Sequence, residues 1–324
     1  MAANPLTSHL QVPTVTDPAS TAPRHRSPWL SVLAVSLTAA CLSVLAGELA
    51  GDRSAPVPVA VAGERQASPA EAGAETDAGK TTTVTMSEML RLAGDALAQT
   101  VAGLDDYTAR LVKQEQDRSG VLQPASEMFL KVATRHRGGQ RDEPLKVYLR
   151  FESPDTLKGR EVIWIENEND GKLLVREAGM IGAMMTVPLS PDSFLAMQGQ
   201  RYPITDIGLT RLLEKLIQRG DQDRDDPHVK VFMTEDYLFD GRPLTHLRIE
   251  RSEPSGQEDD FAIAELVLDQ PHNLVVSYRS FGWPEPGSTE RALIESYEYH
   301  DLETNVGLTD RDFDTANPEY TFAK

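Results

Sequence analysis

Two acidic triplets and a set of scattered histidines are the residues of this chain whose types and spacing invite chemistry. Asp221, Asp223 and Asp225 occupy positions 1, 3 and 5 of an EF-hand-like loop, the spacing at which carboxylates surround calcium. The loop then leaves that pattern: position 6 is Asp226 where the turn needs glycine, and position 12 is Phe232 where a bidentate glutamate belongs. Asp310, Asp312 and Asp314 repeat the spacing and depart from it in the same way. Both stretches therefore read as solvated loops. His136, His228, His246, His272 and His300 lie far apart, with no H-x-H or H-E-x-x-H pair among them. His246 alternates with Arg248 and Glu250, opposite Leu247 and Ile249, and is expected to face solvent. The single cysteine, Cys41, excludes an internal disulfide and a thiolate metal site. A G-x-S-x-G elbow, a phosphate loop and a dinucleotide fingerprint are all missing from the sequence. The expectation is a protein that is not an enzyme, with no catalytic residue, metal ligand or cofactor site.

What remains is apolar binding. Leu209, Leu212, Leu213, Leu216 and Ile217 fall at i, i+3, i+4, i+7 and i+8, one stripe of a helix whose other side carries Arg211, Glu214, Lys215 and Gln218. Asp206 stands at a possible N-cap, and Gly220 at the C′ position that glycine fills most easily. Such a helix either covers a sheet in the ordinary way or forms a movable lid over a cavity. Met180, Met184, Met185 and Met197 cluster near Ile181, Phe194 and Leu195, and flexible thioethers suit an adaptable apolar pocket or a core. Trp164 lies between Ile163 and Ile165 in a continuously apolar strand, which predicts burial on both faces, whereas Trp283 sits in a Gly-Trp-Pro turn. The candidate cavity residues are Trp164, Met184, Leu209, Leu212, Leu213, Leu216 and Ile217.

The elements that must position these residues follow from composition and period. A net charge of −18 repels phosphate backbones, so nucleic-acid binding is not expected. Residues 1–28 read as a disordered lead ending in Arg24, His25 and Arg26. Residues 29–50 hold a signal peptide or signal-anchor helix: Trp29 to Ala46 carries no charge and is long enough to cross a bilayer. Arginines before it, with Glu48 and Asp52 after it, orient the bulk of the chain outward to the periplasmic side. The chain is expected to be tethered to the inner membrane, or free in the periplasm if the segment is cleaved. A lipoprotein site at Cys41 is disfavoured by Thr38 and by the apolar run after the cysteine. Residues 51–84, rich in Ala, Gly, Pro, Glu and Thr, read as a disordered linker, and 85–324 as the folded domain.

That domain opens with a helix near Met86 to Leu104, capped by Thr85 with Glu88. From Tyr107 the period changes from 3.6 to 2, and about eleven strands follow, separated by turn residues such as Asn169, Asp170 and Gly171. Short connections predict a mainly β, antiparallel sheet curled into a half-open barrel, with an N-terminal helix and an inserted helix on its concave side.

The segment from Leu293 to Phe322, with Asn305, Val306, Gly307, Leu308, Thr309, Asp310, Asp312, Phe313, Asn317, Pro318 and Tyr320, resembles the C-terminal end of the LolA/LolB-like superfamily. Gly159 to Gly179 and Arg201 to Leu209 resemble a bacterial exported family known only as a domain of unknown function, 1571. The resemblance covers the whole folded part and implies a half-barrel with an apolar cavity for a lipid or lipoprotein acyl chain. No acyl-binding residue carries over by motif. An envelope protein-interaction or stress-sensing module is the alternative, an envelope enzyme the third, and the protein partner is unspecified.

Overall fold

Among the described residues twelve strands follow one another, and a helix stands at each of the two points where the chain crosses from a sheet edge. The computed structural model describes residues 79–139, 142–178, 185–257, 260–270 and 272–323. The elements are β1 (Thr81–Val84), α1 (Met86–Gly103), β2 (Asp106–Glu115), β3 (Ser126–Ala133), β4 (Lys146–Ser153), β5 (Glu161–Ile165), β6 (Leu173–Arg176) and β7 (Thr186–Leu189). Then come α2 (Leu209–Gln222), β8 (Val229–Phe239), β9 (Arg242–Arg251), β10 (Ile263–Asp269), β11 (Leu274–Phe281) and β12 (Leu293–Thr304). They form one open sheet of order β1-β8-β9-β10-β11-β12-β2-β3-β4-β5-β6-β7. Every pairing is antiparallel.

The order dictates where the helices go. β2 to β7 and β8 to β12 are two meanders joined through β12 and β2, so β1 and β7 are the two edges. From edge β1 the chain must reach the middle at β2, and from edge β7 it must return to β8 beside the other edge. α1 and α2 are those two crossings, and both lay apolar residues on one face of the sheet. Met86, Met89 and Leu90 of α1 share a core with Leu213 of α2 and Leu247, Ile249, Leu266 and Val275 of β9 to β11. A second core joins Leu209 to Leu111, Leu130, Leu149 and Trp164 on β2 to β5. Leu212 packs against both.

Thr81–Val84, which composition places in the linker, is instead strand β1, paired with Val231 to Thr234 of β8. Four Thr and Val residues suit a pleated edge, and the pairing partner is far away in sequence. The expected capping box is present: Thr85 Oγ1 accepts from the Glu88 N–H at 3.1 Å, and Glu88 Oε2 accepts from the Thr85 N–H at 2.7 Å. The Asn169–Gly171 turn links β5 to β6 with positive φ at all three residues.

α2 is bounded differently from its sequence expectation. Its N-cap is Gly208, at φ 113°, and Asp206 instead holds Lys215 at 2.7 Å and Arg211 at 3.3 Å. The first turn is tied down by Tyr107, whose hydroxyl accepts from the Leu209 N–H at 3.3 Å. Gly220 is not a C′ residue, because the helix runs on to Gln222. Its lack of a side chain lets α1 come close: a Cβ there would lie 2.9 Å from Leu90 Cδ2 and 3.2 Å from Met89 Cε. Gly220→Val is expected to push the helices apart and lower stability by about 1–2 kcal/mol, measured as a lower urea midpoint at unchanged slope.

The acidic loop after α2 is not simply solvated. Asp223 is buried and lies 2.7 Å from Arg251 of β9, which is also buried and pairs with Asp226 at 2.7 Å. A buried guanidinium needs carboxylates around it, and the aspartates are spent on that need.

The convex face of β3 to β5 is covered by the C-terminal segment. Tyr320 stacks on Tyr148 at 4.1 Å between ring centres, and Phe313 joins Ile163 and Ile165 in a third core. Buried Glu161 accepts from Tyr148 Oη at 3.0 Å and from the Thr321 N–H at 2.8 Å. Asp106 accepts from the Gly307 and Leu308 N–H groups, each at 3.1 Å, and Asn305 bridges Asp105 and Gly103. The residues that carry the family resemblance thus clamp the sheet from outside.

Candidate functional site

Strand alternation puts Leu111, Met128, Leu149, Val162, Leu173 and Val175 on the concave face of β2 to β6, the face on which Leu209 and Leu212 of α2 lie. Between this floor, the apolar face of β9 to β11, the two helices and the loop before α2 lies a cavity of about 1130 Å³, lined by those six residues together with Leu212, Leu213 and Leu216 of α2, Met86 and Met89 of α1, and Leu247, Ile249, Leu266 and Val275. Its volume exceeds the roughly 300–1,000 Å³ of common small-molecule pockets. Val187 and Leu195 both line it and are exposed, so it meets solvent along β7 and the loop that follows. Phe194 at 82 %, Met185 at 68 % and Leu195 at 62 % exposure put large apolar side chains in water on these same segments.

The floor turns polar at the far end of β2 and β12. Lys113 and Glu115 continue the concave row of Leu111, while Glu295 and Tyr297 face them across the ladder, paired Glu295 to Glu115 and Tyr297 to Lys113. Lys113 Nζ lies 3.0 Å from Glu115 Oε1 and donates to Gln200, and the Arg201 N–H donates to Glu115 at 2.9 Å. Tyr297 Oη donates to Glu115 and lies 3.2 Å from Glu295 Oε2. Burial raises the Glu295 carboxyl above the usual range, against the opposing pull of nearby Arg201. Burial likewise raises the phenols of Tyr278 and Tyr297. Lys215 of α2 stands 4.4 Å over the ring of Tyr202, closing the roof above this end.

A family model described as protein of unknown function (DUF1571) matches residues 104–322, more than half of the chain. The chain belongs to the DUF1571 family. No curated protein matches its sequence. Solved structures similar to this DUF1571 chain include a DUF1329 family protein from Desulfovibrio piger, at 14 % identity, 71 % of this chain, 97 % of the other and TM-score 0.31. Others are an outer membrane lipoprotein-sorting protein domain from Vibrio parahaemolyticus (12 % identity, 71 % and 97 % coverage, TM-score 0.32) and a LolA superfamily protein from Nitrosomonas europaea (9 % identity, 68 % and 97 % coverage, TM-score 0.28).

In this DUF1571 domain the candidate cavity residues part company. Leu212, Leu213 and Leu216 line the cavity. Leu209 does not: it is buried beside Tyr107 in the core of the first meander. Ile217 packs against the core that α1 shares with β8 to β11 and is not among the residues that line the cavity. Trp164 is buried in the core, its Nε1 donating to the Gly171 carbonyl at 3.3 Å, and does not reach the cavity. A single helical stripe was bound to divide in this way, because one side of α2 must meet α1 while the adjacent side roofs the floor. Met184 lies outside the described residues, as do Met180, Ile181 and the segment Trp29 to Ala46. Among the described residues no helix is long and apolar enough to cross a membrane.

His246 is half-buried rather than solvent-facing: its ring stacks on Tyr237 at 4.6 Å, and burial lowers its pKa. Among the described residues no cluster of three His, Cys, Asp or Glu is arranged for a metal. Asp310 pairs with Lys146, and Asp312 caps Thr309 and binds Lys131 at 2.7 Å. The polar end of the cavity was missed by the sequence reading. Its signal was a break in alternation, where the concave row Tyr107, Ala109, Leu111 ends in Lys113 and Glu115.

Proposed function

We propose that this chain is an exported cell-envelope binding protein that holds a lipid, a lipoprotein acyl chain or another apolar ligand in the cavity between the β2 to β6 floor and α2. The observation that carries the reading is the cavity itself, about 1130 Å³ with an aliphatic floor. Aliphatic surface left in contact with water on this scale is unfavourable by about 25 cal/mol per Å², and an apolar occupant removes that cost. The cavity residues of the sequence reading that serve this role are Leu212, Leu213 and Leu216. Residues 29–50 act as a signal peptide or signal anchor: they direct export, and they tether the domain to the inner membrane where the segment is not cleaved. The mostly aliphatic lining supports binding as the role of this cavity.

Exposed Phe194, Leu195 and Met185 support the alternative of a docking module, since they offer a partner an apolar grip. The two readings separate in one titration of the full chain with the uncharged probe N-phenyl-1-naphthylamine. Saturable uptake near one probe per chain, competed by an extract of envelope lipids, is the expected result. A cavity that takes up neither probe nor lipid, in a chain shown to be folded, would leave the docking reading standing alone.

A further inference from the structure

Glu115 and Glu295 stand directly opposite one another on neighbouring strands, both buried, at the polar end of the cavity floor. Like charges in that relation repel, and burial strengthens the repulsion, so two ionised carboxylates there would destabilise the ladder. The hydrogen bonds indicate how the chain avoids this. Tyr297 has one hydroxyl proton but two carboxyl groups within reach of its oxygen. It donates to Glu115, which also receives Lys113 and the Arg201 N–H. The contact with Glu295 Oε2 is then favourable when Glu295 carries a proton and donates it to Tyr297 Oη, while Ser280 donates to Glu295 Oε1 at 3.2 Å.

We propose that Glu115, Tyr297 and Glu295 form a proton-sharing site in the cavity floor, through which an apolar ligand is taken up together with a proton. The coupling follows from desolvation and rests on the ligand-binding reading above. In the empty cavity, water reaches the floor and helps to solvate an ionised Glu295. An apolar occupant expels that water, the ionised form loses its solvation, and the carboxyl takes a proton from solution to become neutral. The step is a proton transfer alone: an O–H bond forms at Glu295 Oε2, the bond to that hydrogen in hydronium or a buffer acid breaks and leaves water or the conjugate base in solution, and occupied cavity and protonated carboxyl are favoured together. The charged and titratable groups around Glu295 are Lys113 and Glu115 on β2, Tyr278 on β11, Tyr297 on β12, and Arg201 and Tyr202 on the loop before α2. Burial, the largest influence, and Glu115 favour protonation, while Arg201 and the hydrogen bonds of Ser280 and Tyr297 oppose it.

The sign is fixed by linkage. A carboxyl whose pKa is raised, and raised further by the ligand, gives tight binding below its pKa in the empty chain and weaker binding as pH climbs above it. For one linked proton the limiting slope is a loss of about tenfold in affinity per pH unit. The test titrates the full chain with N-phenyl-1-naphthylamine, whose own charge does not change, across about pH 5 to 9, spanning the unperturbed carboxyl range and well above it. Affinity is expected to fall with rising pH in the native chain. Glu295→Gln, which cannot ionise, is expected to show no slope over this range. Calorimetry of the unaltered chain in two buffers of different ionisation enthalpy gives the protons taken up per probe without any variant. A flat native profile, an uptake of zero, or an unchanged slope in Glu295→Gln overturns the coupling while probe binding survives. Loss of probe binding at every pH in the folded chain overturns the cavity reading itself, and the coupling with it.

Discussion

Arg251→Met is expected to lower the stability of the domain by about 3 kcal/mol, because buried Asp223 loses its nearer cation at 2.7 Å and keeps only Arg219 at 3.5 Å. Arg251 and Asp223 are each 2 % exposed and 2.7 Å apart, so water cannot take over the lost interaction. The loss reads out as a lower urea midpoint. Adding Asp223→Leu to Arg251→Met is expected to recover part of it, since most of the cost lies in the stranded charge rather than in the pair. Function should follow, because this pair fixes the C-terminal end of α2 to β9 just as Tyr107 fixes its first turn. With both ends anchored and Gly220 seated on α1, α2 is a roof whose position is set by the fold, and the single-variant chain should also bind probe more weakly under conditions where it remains folded.

Leu216→Glu is expected to weaken uptake of an apolar ligand by about a hundredfold or more, near 3 kcal/mol, by placing a carboxylate in the cavity wall. Leu216 is only half-buried and lines the cavity, so the folded state keeps a route to hydrate the new side chain. Leu213 makes the contrast. It is buried at the junction of the two helices, and Leu213→Glu should unfold the domain before binding can be measured. Cooperative unfolding of Leu216→Glu with a midpoint close to native, together with undiminished probe binding, would show that α2 does not roof the ligand site.

Much of this architecture was legible because it is local. Period-2 alternation from Tyr107, the Thr85 to Glu88 capping box and the Asn169 to Gly171 turn each declare themselves within a few residues, and each is found in place. An open twelve-stranded antiparallel sheet with two helices on its concave side is the expected half-barrel plus one strand. The misreadings concern residues whose environment is set from afar. Asp223 resembles a solvated acid until Arg251, on a strand beyond the next hairpin, comes to rest beside it. Gly220 resembles a helix stop until α1 packs against it. Thr81–Val84 resembles linker until β8 offers an edge.

The candidate site was half legible for the same reason. The stripe of α2 announces an apolar face, but which leucines meet the cavity and which meet α1 depends on the crossing from β7 back to β8. The opposition of Glu115 and Glu295 depends on the register of β2 with β12, whose partners lie far apart in the chain. Tyr320 and Thr321 turn out to serve the convex face through Tyr148 and Glu161, which explains how a family resemblance carried by the C-terminal segment identifies the fold without identifying a ligand.

The central claim is that the cavity holds an apolar ligand, and its most direct test is native mass spectrometry of the full chain purified from the envelope of its own host, followed by lipid extraction of the same sample. The account predicts a stoichiometric lipid or acylated peptide bound to the native chain and lost from Leu216→Glu. A bare chain that also fails to take up N-phenyl-1-naphthylamine while folded would contradict it.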